Sequence, residues 1–157
     1  VVKIAQIYRA TNGSREPFSL EFKAEDFDIS EIQGRVTASG HFMRVEEGIM
    51  MLLEGLDATQ TAHCSRCGKA LKLKLNFKPS EWLFYKEKPP EDDSENEWLE
   101  LDTHRLELNP LEPVRQDILL NLGLAPRCKK LCKKFEESKP EKNKGVKALS
   151  GLKDLHL

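Results

Sequence analysis

Four cysteines are the residues of this chain best placed to do chemistry. They fall in two close pairs, Cys64-Ser-Arg-Cys67-Gly68 and Cys128-Lys-Lys-Leu-Cys132, with 60 residues between the inner members. A C-x2-C turn ending in glycine brings two sulfurs to one point, because glycine accepts the backbone bend without steric penalty. A second close pair completes the four thiolates of a tetrahedral Zn(II) site, with Cys64, Cys67, Cys128 and Cys132 as ligands. Four protein ligands leave no open coordination position, so such a site holds a fold together and does no catalysis. Three other uses of the cysteines stand beside this one: reduced thiols without metal, two disulfides, or a redox dithiol. A redox C-x2-C expects a helix opening at its first cysteine. Here Lys69-Ala-Leu-Lys-Leu-Lys-Leu-Asn-Phe77 follows and alternates like a strand, which favours structural zinc.

No other constellation points to catalysis. His41, His63, His104 and His156 are scattered. His63 adjoins a cysteine and can replace a sulfur on a metal, but in that place a surface or supporting role is the simpler reading. There is no glycine-rich phosphate loop, no H-E-x-x-H and no nucleophile elbow around Ser65. The reading is therefore that the protein is not an enzyme and takes no small-molecule substrate.

The elements that must position the cysteines are mostly strands. Residues 1–10 read as a short strand anchored by Ile4, Ile7 and Tyr8. Asn12-Gly13-Ser14 and Pro17 mark a loop, and Phe18-Ser-Leu-Glu-Phe22 alternates as a second strand. Residues 24–30 hold at most a helical turn. From Ile32 to Leu75 the pattern is a β-meander, turning at Glu46-Glu47-Gly48 and again at the cysteine knuckle 64–68, and Trp82–Tyr85 closes it. On the strand after the knuckle, Leu71, Leu73 and Leu75 share one face and Lys72 and Lys74 the other.

Asn109-Pro110-Leu111-Glu112 is a helix start: Asn caps, Pro fits the first turn and Glu reaches back to the cap. Leu111, Val114, Ile118 and Leu122 then recur at helical spacing with Leu119 beside them, and Gly123 and Pro126 end the element. The fold class is α+β: a β-rich antiparallel sheet, open or closed into a small barrel, with one packed amphipathic helix and a cysteine-knuckle staple. This domain spans residues 1–132. Residues 86–97, with Pro89-Pro90 and a run of acids, read as a mobile acidic loop. Residues 133–157 read as a basic tether and a short terminal helix, with Val146, Leu149, Leu152 and Leu155 three apart.

The formal net charge of -1 conceals a strong asymmetry. Residues 91–117 carry ten acids against two bases, whereas residues 127–157 carry ten bases against four acids. If the cysteine pairs meet, their lysines meet too. The lobe so formed holds Arg66, Lys69, Lys72, Lys74, Lys129, Lys130, Lys133 and Lys134. A concentrated positive patch attracts polyanions even when the whole chain is near neutral, so these are the candidate RNA-binding residues. At 39% hydrophobic and 32% charged residues, the chain combines one compact core with solvated charged segments. No apolar run reaches the ~20 residues of a membrane span and the first residues lack a signal-peptide pattern. A reducing, cytoplasm-like compartment is the default, which also favours metal over disulfide.

Taken in order, these features resemble the YceD family of bacterial and plastid ribosome-biogenesis proteins. The carriers are the strand-rich stretch leading to Cys64-Ser-Arg-Cys67-Gly, the acidic proline-containing loop, Pro113-Val-Arg-Gln-Asp-Ile-Leu-Leu120, Leu124-Ala-Pro-Arg-Cys128-Lys-Lys-Leu-Cys132 and the closing Gly151-Leu-Lys-Asp-Leu155. Many relatives continue with a further cysteine-containing knuckle, where this chain has Lys133-Lys-Phe-Glu-Glu-Ser-Lys-Pro140. The resemblance implies a role in accumulation or maturation of large-subunit ribosomal RNA. Its partners would be the precursor large subunit through RNA, ribosomal protein or both, in a bacterial cytoplasm or a plastid stroma. The alternative is a zinc-knuckle protein–protein adaptor that does not touch RNA directly.

Overall fold

A computed structural model describes residues 1–87, 98–128 and 132. The acidic loop beyond residue 87, the expected tether and terminal helix at 133–157, and Lys129, Lys130, Lys133 and Lys134 lie outside the described residues.

The core of the fold is a three-stranded meander. Strands β2 (Arg15–Lys23), β3 (Ile32–Arg44) and β4 (Gly48–His63) pair antiparallel in that order. Alternation supplies the faces: Val36, Ala38 and Phe42 of β3 point inward, as do Ile49, Met51 and Leu53 of β4, while Ser39, Glu54 and Asp57 are exposed. Ser39 pairs with Gly55 but Gly40 pairs with Leu53, so Glu54 is an extra residue in β4. Such a bulge changes the phase of the pleat. Beyond it the inward positions become even-numbered, Leu56, Ala58 and Gln60. Gly40 is required at this point, since a Cβ there would overlap the Leu52 carbonyl oxygen.

Two further strands share the other edge of β4: β5 (Ala70–Lys74) pairs with Thr59–His63, and β6 (Ser80–Tyr85) with Gly48–Leu53. The short β7 (Leu99–Glu100) lies parallel to β6, which corrects the expectation of a wholly antiparallel sheet. Among the described residues no strand pairing joins β2 back to β7, so the sheet is open and the barrel alternative is set aside.

One face of this sheet is covered. Strand β1 (Val2–Lys3) pairs with β8 (Glu107–Leu108), and helix α1 (Ala5–Arg9) lies between them in sequence. Of the strand expected over residues 1–10, Val2–Lys3 is strand and Ala5–Arg9 is helix. Ile4, Ile7 and Tyr8 are spaced by three and four, which fits one helical face better than a period of two. Ile4 and Ile7 are buried, and Arg44 stacks over the Tyr8 ring at 4.9 Å. A 3-10 turn at Ala24–Phe27 adds Phe27 to the same core.

Helix α2 (Leu111–Asn121) begins one residue later than expected. Pro110 occupies the cap position, and Asn109 supports the start by accepting the Leu111 N–H on its Oδ1 at 3.2 Å. Glu112 pairs with Arg115 and Gln116 along the helix surface instead of reaching back to the cap. Val114 and Ile118 are fully buried, while Leu119 is half out of the stripe and Leu120 faces solvent. Asp117 is also buried. Its Oδ2 accepts the Ser80 hydroxyl at 2.5 Å and the Trp82 indole N–H at 2.9 Å, which ties the helix to β6. A buried carboxylate is tolerated when hydrogen-bonded in this way. Among the described residues no helix is long and apolar enough to cross a membrane.

A candidate metal centre beside the β4–β5 knuckle

The turn from β4 into β5 is closed by two backbone bonds. Cys64 N donates to Lys69 O at 2.8 Å, and Gly68 N donates to Cys64 O at 2.9 Å. Gly68 has φ +70, a left-handed conformation that a side chain would strain. This geometry aims Cys64 and Cys67 to one side of the hairpin tip.

The second pair arrives from the stretch that follows α2, held by two attachments. Gln60 is buried at the end of β4, where its Nε2 donates to Gly123 O at 3.3 Å and its Oε1 accepts Gly123 N at 3.0 Å. One amide thus clamps both peptide groups of a single residue. Three residues on, Ser65 N donates to Pro126 O at 2.8 Å. The chain then delivers Cys128, whose N–H reaches Cys64 Sγ at 3.4 Å.

All four sulfurs, of Cys64, Cys67, Cys128 and Cys132, lie within 4.8 Å of one another. Two of the separations cross between the pairs: Cys64 Sγ to Cys132 Sγ and Cys67 Sγ to Cys128 Sγ, each 3.7 Å. No disulfide joins any of them. A tetrahedral ion with ligand bonds of about 2.3 Å sets its sulfurs about 3.8 Å apart, so the cluster has the dimensions of such a site. The four cysteines can hold a metal ion.

The electrostatics of the cluster support the same use. Cys64 Sγ accepts the backbone N–H groups of Arg66, Cys67 and Cys128, which hold its thiol down to about 5 from an ordinary 9.0. Cys128, which shares protons with Cys64 and Cys67, is pushed up to about 12. Cys132 is also raised, first by its contact with Cys67 and then by burial. Thiolates this close repel one another, so without a cation one charge is favoured at the expense of its neighbours. A bound cation removes that repulsion and favours the deprotonated form of all four.

The basic residues divide. Arg66 and Lys69 are exposed on the knuckle, and Lys72 is exposed on β5 opposite Thr61. Lys74 is exposed too, but its Nζ lies 3.4 Å from Asp57 Oδ2, so an acid already partners it. Arg127, exposed beside Cys128, joins the same end and was not among the expected residues. Gln60 was missed as well. Its signal was a polar side chain in the inward phase of a strand, legible only once the bulge at Glu54 is known. The attachment of Ser65 to Pro126 has no sequence signal, because it uses backbone alone.

A comparison with protein-family models matches residues 55–156 to the large ribosomal RNA subunit accumulation protein YceD. This chain belongs to the YceD family. The matched span contains the half of β4 that follows the bulge, the knuckle, α2 and all four cysteines. No curated protein and no solved structure matches the chain. The family description concerns large-subunit ribosomal RNA accumulation and names no catalytic activity.

The clamp at Gln60 makes a prediction within the site. Gln60→Ala removes both hydrogen bonds to Gly123 and is expected to cost about 1–2 kcal/mol of stability. With the stretch 123–128 loosened, Cys128 should react faster with a thiol reagent in metal-stripped protein. Unchanged reactivity would mean that the Ser65–Pro126 attachment positions the second pair unaided.

Proposed function

We propose that this YceD-family chain is a non-catalytic ribosome-biogenesis factor that supports accumulation or maturation of large-subunit ribosomal RNA, with a structural Zn(II) ion held by Cys64, Cys67, Cys128 and Cys132. The carrying observation is the convergence of the two cysteine pairs at one tetrahedral-sized cluster. Arg66 and Lys69 of the knuckle and Arg127 beside Cys128 are exposed, and the Ser65–Pro126 bond joins the two stretches that carry them. Lys129, Lys130, Lys133 and Lys134 flank Cys132 in sequence and add charge of the same sign. Zinc suits four thiolates in this geometry, and with all four positions taken its contribution is to fix the lobe. RNA contact through lysine and arginine neutralises phosphates without requiring a pocket, as expected for recognition by shape and backbone.

The test reverses charge on the lobe without touching the sulfurs. Arg66→Glu, Lys69→Glu and Lys72→Glu, combined with Lys129→Glu and Lys130→Glu, should weaken association with precursor large-subunit particles at least tenfold. Melting should stay within about 0.5 kcal/mol per substitution, as surface changes do. Lys74 is left alone because of its pairing with Asp57. For single-stranded RNA, each phosphate neutralised contributes about -0.7 to the slope of log affinity on log salt, so four contacts give about -3. An adaptor that docks only on protein is the second reading, favoured by the exposed Leu120 and Leu124. Binding that survives both the reversals and high salt would establish it in place of RNA contact.

A further inference from the structure

A groove of about 380 Å³ runs between the end of β4 and the stretch that follows α2. Ala62, His63, Leu122, Leu124 and Pro126 line it, with Glu31 on one wall. Its walls are fixed by bonds already described: the Gln60 clamp on Gly123 and the Ser65 bond to Pro126. Glu31 is fixed as well, its carbonyl accepting the Thr61 N–H at 2.6 Å. Leu124 is 99% exposed, an expensive way to place a leucine on a rigid segment unless something covers it.

We propose that the groove is a docking site for this chain's own C-terminal segment, residues 146–155. Three observations select that occupant. The first is chemical: Val146, Leu149, Leu152 and Leu155 recur every third residue, with Lys147 and Lys153 among them. The second is charge. Glu31 is the acid on the groove wall, and it complements a segment that carries Lys147 and Lys153 against the single acid Asp154. The third is reach. Cys132 sits in the sulfur cluster 3.7 Å from Cys64, whose neighbour Ser65 is bonded to Pro126 of the groove. Residues 133–145 can extend about 45 Å at roughly 3.4 Å each, ample for a return to a groove beside their own origin. A tether of this length gives an effective concentration on the order of 1 mM, so a contact of modest intrinsic affinity is mostly closed. This assignment does not rest on RNA binding and concerns a different surface from the basic lobe.

Hydrogen exchange of the 157-residue chain, read by mass spectrometry, tests it. In the wild-type protein, amides of 147–155 should exchange about tenfold more slowly than in Leu124→Glu, a substitution that an exposed site tolerates. Leu149→Asp with Leu152→Asp should in turn speed exchange at residues 122–127, and a synthetic 146–157 peptide should restore the slow rate. Equal exchange of 147–155 in wild type and Leu124→Glu would overturn the proposal. Protection that disappears on dilution, with a dimer mass in sedimentation, would assign the groove to a second copy instead. Protection of 122–127 by added RNA alone, with 147–155 unaffected, would assign it to RNA. Loss of ribosomal association in the charge-reversed lobe should leave all these rates unchanged.

Discussion

Cys67→Ser is expected to take the metal content of the purified chain from about one zinc ion to near zero and to lower its melting temperature sharply. Cys67 lies at the hairpin tip and supplies one of four sulfurs within 4.8 Å, so no neighbouring cysteine can substitute for it. Structural zinc in small peptides is worth about 10–16 kcal/mol, because there the ion is the whole fold. In this chain the meander and α2 keep their own buried core, so a bound ion would bear directly on the knuckle and on the segment carrying Cys128. A loss of about 3–5 kcal/mol is the expected scale, and at 157 residues this corresponds to roughly 10–15 °C. A strong chelator should reproduce the shift in the wild-type protein and have no further effect on the variant. Zinc binding should also weaken as pH falls, since each ligand must shed a proton and acid returns it. Metal analysis that finds no ion after gentle purification, with four thiols reacting freely, would refute the zinc assignment. So would two disulfides found by mass.

The cysteine pairs were legible because ligand spacing is a local property: a C-x2-C-G turn carries its geometry with it wherever it sits. Their convergence was not local. It depends on Gln60 clamping Gly123, and Gln60 points inward only because the extra residue at Glu54 shifts the phase of β4. Nothing in the alternation of Met50–Leu53 and Thr59–Thr61 announces that shift. The meander and its turns were readable from period-two patterning and from Gly48 and Gly68, whereas closure of the sheet is a question of long-range pairing that no segment decides alone. At the N-terminus, Ile4 and Ile7 stand out as apolar anchors, but ten residues hold too few repeats to separate a period of two from one of 3.6. On α2, Val114 and Ile118 are in the core as the spacing predicts, and the buried Asp117 among them was unmarked. A carboxylate on the inward face reads as a break in the stripe until Ser80 and Trp82 are seen to satisfy it.

Ile118→Asp should unfold the protein or drive it to aggregate, and the reason lies in what surrounds that side chain. Ile118 is completely buried on α2 in one cluster with Val114, Phe27, Met51, Leu53 and Phe84, so an introduced carboxylate enters an apolar cluster. Truncating a buried isoleucine already costs about 2–5 kcal/mol through lost contacts and the cavity left behind. An unpaired buried charge adds several more, or forces the carboxyl to stay protonated. Against a typical total of about 5–15 kcal/mol, that sum removes most or all of the stability. Two companions make the result interpretable. Ile118→Val, which keeps the apolar contact and loses one methylene, should cost only about 0.5–1.5 kcal/mol. Leu120→Asp, two residues along on the 78% exposed side of the same helix, should leave melting within about 0.5 kcal/mol. Thermal denaturation of the three variants decides the matter. If Ile118→Asp melts like the wild type yet no longer associates with precursor large-subunit particles, the stripe is an interface and the helix does not belong to the core.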